Sequence, residues 1–135
     1  MATIGTVLLD IQKVPNSLKV IPEVTYVVTY DDDDRQTNRV YNEVVELIGV
    51  DDGPFNTRDE VIRFGTASFA TDTLRADGQE SEQRFHTRDD AQLRELNEDR
   101  PGRDEIRAVV TLQSGTITVA RSSNLVIDDF NPAHA

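Results

Sequence analysis

The chain has 135 residues, a formal net charge of −11 at pH 7 and no cysteine. Its length suits one domain with one core, and the missing thiols exclude disulfides, thiolate nucleophiles and cysteine-based metal sites. The negative charge opposes binding to nucleic-acid phosphates and anionic membranes, so a protein partner or self-assembly is the expected kind of interaction.

The first residues carry no recognisable targeting signal. They lack the basic start and the long apolar run of a secretory signal peptide. No apolar stretch approaches the roughly 20 residues of a membrane helix. We therefore expect a soluble protein, cytoplasmic or virion-like by default.

Alternating apolar and polar residues predict strands over residues 2–11 and 18–30. Pro22 predicts an edge, a bulge or a bend near the start of the second strand. Residues 31–38 begin with four aspartates and are expected to form a loop. The residues expected to face the core are Val7, Leu9 and Ile11 in the first strand and Val24, Tyr26, Val28 and Tyr30 in the second.

Residues 39–50 fit two structures. Val40, Val44, Leu47 and Ile48 have helical spacing, and flanking Asn and Gly residues suit the two helix ends. The content of Val, Ile and Tyr instead favours a strand. We interpret the segment as a strand, with a helix as the alternative.

Turn and strand signals alternate in the middle of the chain. Asp51-Asp52-Gly53-Pro54 predicts a turn, residues 60–69 a strand, and residues 70–79 a loop. Residues 80–87 are polar except for Phe85, which predicts an exposed edge strand whose charges discourage association between edges.

Residues 88–97 are predicted to form a short helix. Thr87 and Asp90 have the spacing of a capping box, and Leu93 and Leu96 fall on one helix face. The helix is expected to end before Pro101.

The C-terminal part contains the clearest strand pattern, over residues 104–113. Ser114-Gly115 predicts a tight turn into a last strand over residues 116–129, with a bulge or a kink at Ser122-Ser123-Asn124. The core-facing residues of the 104–113 strand are expected to be Ile106, Ala108, Val110 and Leu112.

Seven strands with regularly spaced turns predict an all-β, two-sheet antiparallel sandwich with one short helix near residues 88–97. An immunoglobulin-like strand order is favoured, although the Cys…Trp…Cys signature is absent, and fibronectin-type, C2-like or jelly-roll orders fit the same count. We expect residues 1–130 to form a single domain and residues 131–135 to form a frayed tail.

Acidic loops are the main candidate ligand site. Alternate connections of an antiparallel sandwich collect at the same end, and calcium takes about six to eight oxygen ligands from such loops. One end is expected to collect Asp31 to Asp34 with Asp72 and Asp77. The candidate metal ligands at the other end are Asp51, Asp52, Asp59, Asp99, Asp104 and Asp128. A solvated acidic surface with ordinary turn chemistry is the alternative interpretation.

Few residues suit catalysis. His86 and His134 are the only histidines, and the sequence contains no nucleophile elbow, phosphate loop or dinucleotide-binding motif. His86 is a candidate general base or metal ligand, but its polar strand favours an exposed histidine without a role. We predict no catalytic residues and no cofactor other than calcium.

The leading hypothesis is a non-catalytic β-sandwich module that acts by protein binding or assembly. The alternatives are a calcium-binding acidic sandwich module and a carboxylate-based hydrolase or isomerase. Tyr26, Tyr30, Tyr41 and Phe55 are candidates for an aromatic contact patch, although strand alternation favours core positions for most of them.

Overall fold

The computed structural model describes residues 1–37, 39–50, 58–70, 81–97 and 103–135. They form two antiparallel sheets, which confirms the predicted all-β sandwich. The strands are β1 (Thr3–Ile4), β2 (Leu8–Lys13), β3 (Val20–Thr29), β4 (Val40–Val50), β5 (Arg58–Ala70), β6 (Ser81–Thr87), β7 (Asp104–Ser114) and β8 (Ile117–Asp128). Two short helices also lie in these ranges, α1 (Asp32–Gln36) and α2 (Leu93–Leu96).

The first sheet has β3 at its centre, with β1 and β2 along one side and β6 along the other. Residues 2–11, predicted as one strand, therefore form two. Gly5 lies between them, and its amide donates to the Val27 carbonyl at 2.7 Å. A Cβ at Gly5 would lie 3.1 Å from that oxygen, so glycine permits the close approach that divides the strand.

Pro22 lies where β3 is paired on one side in the described structure. It faces Ile11 of β2, while the pairing with β6 ends at Glu23. A proline cannot donate to a ladder, so this position avoids a lost hydrogen bond. The edge expected from the sequence is confirmed here.

The second sheet has the order β5-β4-β7-β8. In the constant-type immunoglobulin order, the fourth of seven strands pairs with the fifth. Both then belong to the sheet that also contains the first and second strands. Here that fourth strand is β5, and it pairs with its chain neighbour β4. The immunoglobulin-like order is therefore not confirmed, because the connection from Val50 to Arg58 is short and favours hairpin pairing of consecutive strands.

Residues 39–50 form a strand, as interpreted from their β-branched content. β4 is central and pairs with both β5 and β7. Its side chains Tyr41, Val45 and Leu47 are buried at period two, which is the spacing of a strand face. The alternative of a helix is excluded for this segment.

The core lies between the inner faces of the sheets, and the predicted alternation is confirmed in β3 and β7. Burying these apolar side chains is the main stabilising term of the fold. The principal members of the core are Val24, Tyr26, Val28, Tyr41, Val45, Leu47, Leu96, Ile106, Ala108, Val110, Leu112 and Phe130.

The segment predicted as a loop over residues 31–38 contains α1. Asp31 caps this helix: its carboxylate accepts from the Asp34 amide at 2.8 Å, and the Asp34 carboxylate accepts from the Asp31 amide at 3.2 Å. The aspartates thus form a reciprocal capping box, and the loop prediction was wrong for residues 32–36.

The helix predicted over residues 88–97 is shorter and begins later. Only Leu93–Leu96 are helical in the described part of this segment. The amide of Gln92 donates to the Glu95 carboxylate at 3.1 Å, so the cap expected at Thr87 and Asp90 was wrong. Leu93 and Leu96 are both buried, as their shared face predicts.

The β7–β8 turn is shifted by one residue from the prediction and consists of Gly115 and Thr116. Gly115 has a φ of +58°, which a glycine adopts without steric cost. The predicted turn at residues 51–54 and loop residues 71–79 lie outside the described ranges.

β8 contains an irregularity at residues 122–124, where the sequence predicts a bulge or a kink, and this irregularity joins the two sheets. The registers Arg107–Leu125 and Val109–Ser122 leave Ser123 and Asn124 opposite Ala108. The Asn124 side chain is bonded to both backbone groups of Leu9 in β2, at 2.8 Å to the amide and 3.0 Å to the carbonyl. The Asn124 side chain thus hydrogen-bonds β8 of one sheet to β2 of the other, as the backbone of a neighbouring strand would.

We expect Asn124→Ala to lower the free energy of unfolding by about 1–2 kcal/mol, because the partly buried amide and carbonyl of Leu9 lose these partners. Urea denaturation measures the change. Thr118→Ala, at an exposed position of the same strand, serves as the control and should stay within about 0.5 kcal/mol of wild type. Equal losses in both variants would contradict a bridging role for Asn124.

The chain ends in a 3₁₀ turn at Pro132–His134, capped by Asn131. The His134 ring nitrogen Nδ1 lies 2.7 Å from Asp129 Oδ2. The fraying expected of residues 131–135 stays a prediction. Among the described helices, none has the length and apolar character needed to cross a membrane.

Candidate binding surface

A buried carboxylate, Glu43 of β4, lies between the two sheets with 1% of its surface exposed. Arg84 of β6 binds it with two nitrogens: Nε lies 3.1 Å from Oε2, and Nη2 lies 2.9 Å from Oε1. The hydroxyl of Tyr26 also donates to Oε2, and His86 Nε2 lies 3.0 Å from Oε1. We call these four residues the inter-sheet cluster, since β4 belongs to one sheet and β3 and β6 to the other.

The inter-sheet cluster holds Glu43 in its charged form. Burial by itself raises the pKa of this carboxyl, but the contact with His86 and the hydrogen bonds from Arg84 and Tyr26 outweigh burial and lower the pKa to about 2. The hydrogen bond to Glu43 raises the pKa of Arg84, and burial together with the same carboxylate raises the pKa of Tyr26. The Glu43 carboxylate is thus a buried charge compensated by Arg84, and the contacts of the cluster connect the two sheets.

His86 is not the exposed histidine that the sequence favours. It points inward with 18% of its side chain exposed, and its ring lies 6.3 Å from that of Phe64. The position of each residue in its strand predicts the cluster better than its residue type does. Glu43 lies in phase with Tyr41 and Val45, and Arg84 in phase with His86, so period two places all three polar side chains on inner faces.

A second buried carboxylate, Asp34, lies at the other side of the core. It accepts from the Tyr41 hydroxyl at 2.7 Å, and Arg39 Nε lies 2.9 Å away. Burial, followed by this hydrogen bond, raises the pKa of Tyr41 to about 12. Asp34 therefore fixes the start of β4 against α1 and is engaged within the protein.

The aromatic contact patch expected as one alternative is not present at the tyrosines. Tyr26, Tyr30 and Tyr41 are all at most 2% exposed. The Tyr30 and Tyr41 rings pack 6.2 Å apart within the core. Phe55 lies outside the described residues.

The proposed calcium ligands are partly placed. The registers put Asp104 opposite Asp128 at one end of the second sheet, and Asp59 opposite Gly49 at the same end. Asp104 is buried and accepts from the Phe130 amide at 3.2 Å, and Asp128 accepts from Lys13 at 3.0 Å.

The remaining candidates, Asp51, Asp52 and Asp99, lie outside the described residues, as do Asp72 and Asp77 of the opposite end. In the part of the chain that is described, no three acidic or histidine side chains form a group that could hold a metal ion. The calcium site stays a prediction.

The outer face of the first sheet carries apolar side chains that contribute nothing to the core. Leu8, Val27 and Phe85 are 57%, 42% and 56% exposed. The registers place Leu8, Thr25 and Phe85 in one row across β2, β3 and β6, and Val27 is the next outward residue along β3. Opposite residues of adjacent strands lie about 5 Å apart at their Cβ atoms. These four residues thus form one continuous surface, which we call the outer apolar patch.

The outer apolar patch has an acidic border. Asp10 and Glu23 are paired directly across β2 and β3, one step along the same face from Leu8 and Thr25. Gln12 donates to Asp10 at 3.3 Å, but neither carboxylate lies within salt-bridge distance of a cation among the described residues. The sequence signal for Leu8 and Val27 is the run of consecutive apolar residues at Val7-Leu8-Leu9 and at Val27-Val28, which breaks strict alternation.

The best-formed surface cavities among the described residues are small. Three surface cavities enclose about 170, 220 and 230 Å³, below the roughly 300–1,000 Å³ of typical small-molecule sites. The inter-sheet cluster lines none of the three. A flat surface is therefore a better candidate for ligand binding than any of these three cavities.

Comparisons with protein-family models, curated proteins and solved structures find no match to this chain.

Proposed function

We propose that this protein is a non-catalytic β-sandwich module that acts by protein binding or assembly, through the outer apolar patch. The observation that carries the proposal is the exposure of Leu8, Val27 and Phe85 around Thr25 on one sheet face. Single exposed apolar residues are ordinary on a protein surface, whereas contiguous ones are typical of interaction sites.

The arrangement of charges supports binding over chemistry. Arg84 and His86 are engaged by Glu43 between the sheets, away from the cavities. A catalytic acid or base needs access to a substrate at hydrogen-bond distance, and these groups are directed toward each other instead.

The same charges favour the sheet face over the sheet edge as the contact. Glu82, Arg84 and His86 all point inward from the edge strand β6. Inward-pointing charges are one device by which natural edge strands avoid pairing with another chain. A partner therefore gains most by covering the face, where Phe85 offers a large aromatic surface.

We expect Phe85→Thr to abolish the interaction while leaving the fold intact, because threonine suits an exposed strand position but removes the ring. Size-exclusion chromatography with light scattering over a concentration series measures assembly. Selection of a random 12-residue peptide library displayed on phage measures binding. Ile127→Thr is the matched control, since Ile127 is 50% exposed on the outer face of the other sheet.

The proposal is supported if wild type and Ile127→Thr assemble or enrich the same peptides, and Phe85→Thr does neither. It is overturned if wild type stays monomeric and enriches no peptide, or if Phe85→Thr behaves like wild type. Urea denaturation of all three proteins shows whether a lost interaction reflects a lost fold.

A further inference from the structure

We infer that the partner of the outer apolar patch is a protein segment that places an apolar side chain over Thr25 and a lysine or arginine over Asp10 and Glu23. This inference rests on the proposed function and adds the chemistry of the partner to it. The contact is then an apolar centre with a charged border on one side, which is the usual anatomy of a specific interface.

The acidic pair contrasts with several aspartates that bind arginine elsewhere in the described structure. Asp32 binds Arg35, Asp33 binds Arg39 at 2.7 Å, and Asp90 binds Arg88 at 2.9 Å. Asp10 and Glu23 instead face each other, with no cation from the described residues within salt-bridge distance of either carboxylate.

Like charges directly opposite on adjacent strands destabilise a sheet. A local arrangement that opposes folding is expected where a surface serves binding. A cation supplied by a partner would offset this repulsion and donate charge-assisted hydrogen bonds to both carboxylates.

The net charge favours a basic partner over a second copy of this chain. Each copy carries a formal charge of −11, so self-association brings two strongly negative molecules together. A cationic segment is instead attracted over a distance of about 8–10 Å at moderate ionic strength. The acidic border also gives the segment a direction, because it lies on one side of the patch only among the described residues of this face.

Three synthetic ten-residue peptides test the inference by fluorescence anisotropy. All carry the same tryptophan and leucine residues, and their remaining positions are lysine, glutamine or glutamate. We expect the lysine peptide to bind at least about fivefold more tightly than the glutamine peptide. Two exposed ion pairs typically contribute an effect of this size. The glutamate peptide should bind weakest, and high salt should reduce the advantage of lysine.

Two double variants separate a local effect from net charge, since each removes two negative charges. Asp10→Asn with Glu23→Gln should reduce the advantage of the lysine peptide to less than about twofold and leave the glutamine peptide unchanged. Asp32→Asn with Asp33→Asn changes exposed aspartates roughly 20 Å away, beyond the other end of β3, and should preserve the advantage.

Binding of the lysine and glutamine peptides with equal affinity, or equal effects of the two double variants, would overturn the inferred basic partner. If Phe85→Thr still lowers the affinity for the peptides in that case, the outer apolar patch remains a binding surface and the proposed function stands. If Phe85→Thr leaves every affinity unchanged, the inference and the proposed function both fail. Concentration-dependent dimerisation lost in Phe85→Thr, together with no peptide binding, would favour a second copy and overturn the inference alone.

Discussion

We expect Glu43→Leu to lower the free energy of unfolding by about 3 kcal/mol, because removal of one partner leaves the other charges of a buried cluster uncompensated. Arg84 loses both hydrogen bonds to the carboxylate, and Tyr26 loses its acceptor. Leucine fills much of the vacated volume, so the loss reports mainly on charge and hydrogen bonding rather than on a cavity. Urea denaturation at neutral pH measures the change.

A matched double variant tests the cause. Glu43→Leu combined with Arg84→Met removes both charges and replaces them with apolar side chains of similar size. A buried ion pair replaced in this way is often neutral or stabilising, so the double variant should be more stable than Glu43→Leu alone. Additive losses from the two substitutions would show that Glu43 and Arg84 do not act as a pair.

Acid should destabilise the protein through the same carboxyl. The pKa of Glu43 is about 2 in the folded protein, against an ordinary value of 4.5. Folding therefore favours the charged form, and its stabilising contribution is complete above pH 4.5 and is lost as the pH falls from there toward 2. The shift corresponds to about 3 kcal/mol of stability. The groups that hold the charge are Tyr26, Arg84 and His86.

Urea denaturation at pH 7, 5, 4 and 3 measures this loss in wild type and in Glu43→Gln. Glutamine has no proton to gain, so the variant should lose less stability over this range. Asp31 also has a pKa lowered to about 2, through hydrogen bonds from the Met1 amino group and the Asp34 amide. Both proteins share this exposed group, so the difference between them isolates Glu43. Parallel pH dependences would contradict a lowered pKa at Glu43.

Local patterns in the sequence predict most of the strands because each depends on side chains two residues apart. Ile106, Ala108, Val110 and Leu112 occupy every second position and are all buried. The bulge at residues 122–124 is also a local signal, since small polar residues interrupt an apolar strand. Residues 80–87 were predicted as an exposed edge strand from their polar composition. Phe85 is 56% exposed, whereas His86 on the opposite face points inward with 18% of its side chain exposed.

Residue type misleads where a polar residue occupies an inward position. Glu43 and His86 were not predicted to meet, and His86 was expected on the surface. Their contact depends on two strands in different sheets, and on the packing of one sheet against the other. The capping box of α1 was missed because consecutive aspartates are equally typical of loops and of helix N-termini.

The sequence by itself determined the class of the fold and the kinds of chemistry that the protein lacks. Alternation at period two specifies strands, and the absence of cysteine removes thiol chemistry whatever the fold. Tertiary structure decided the strand order, since β5 pairs with β4 rather than β6. It also decided that Glu43 meets Arg84, 41 residues along the chain. Such contacts depend on which sheets pack together, and a period of two specifies only the face on which a side chain lies.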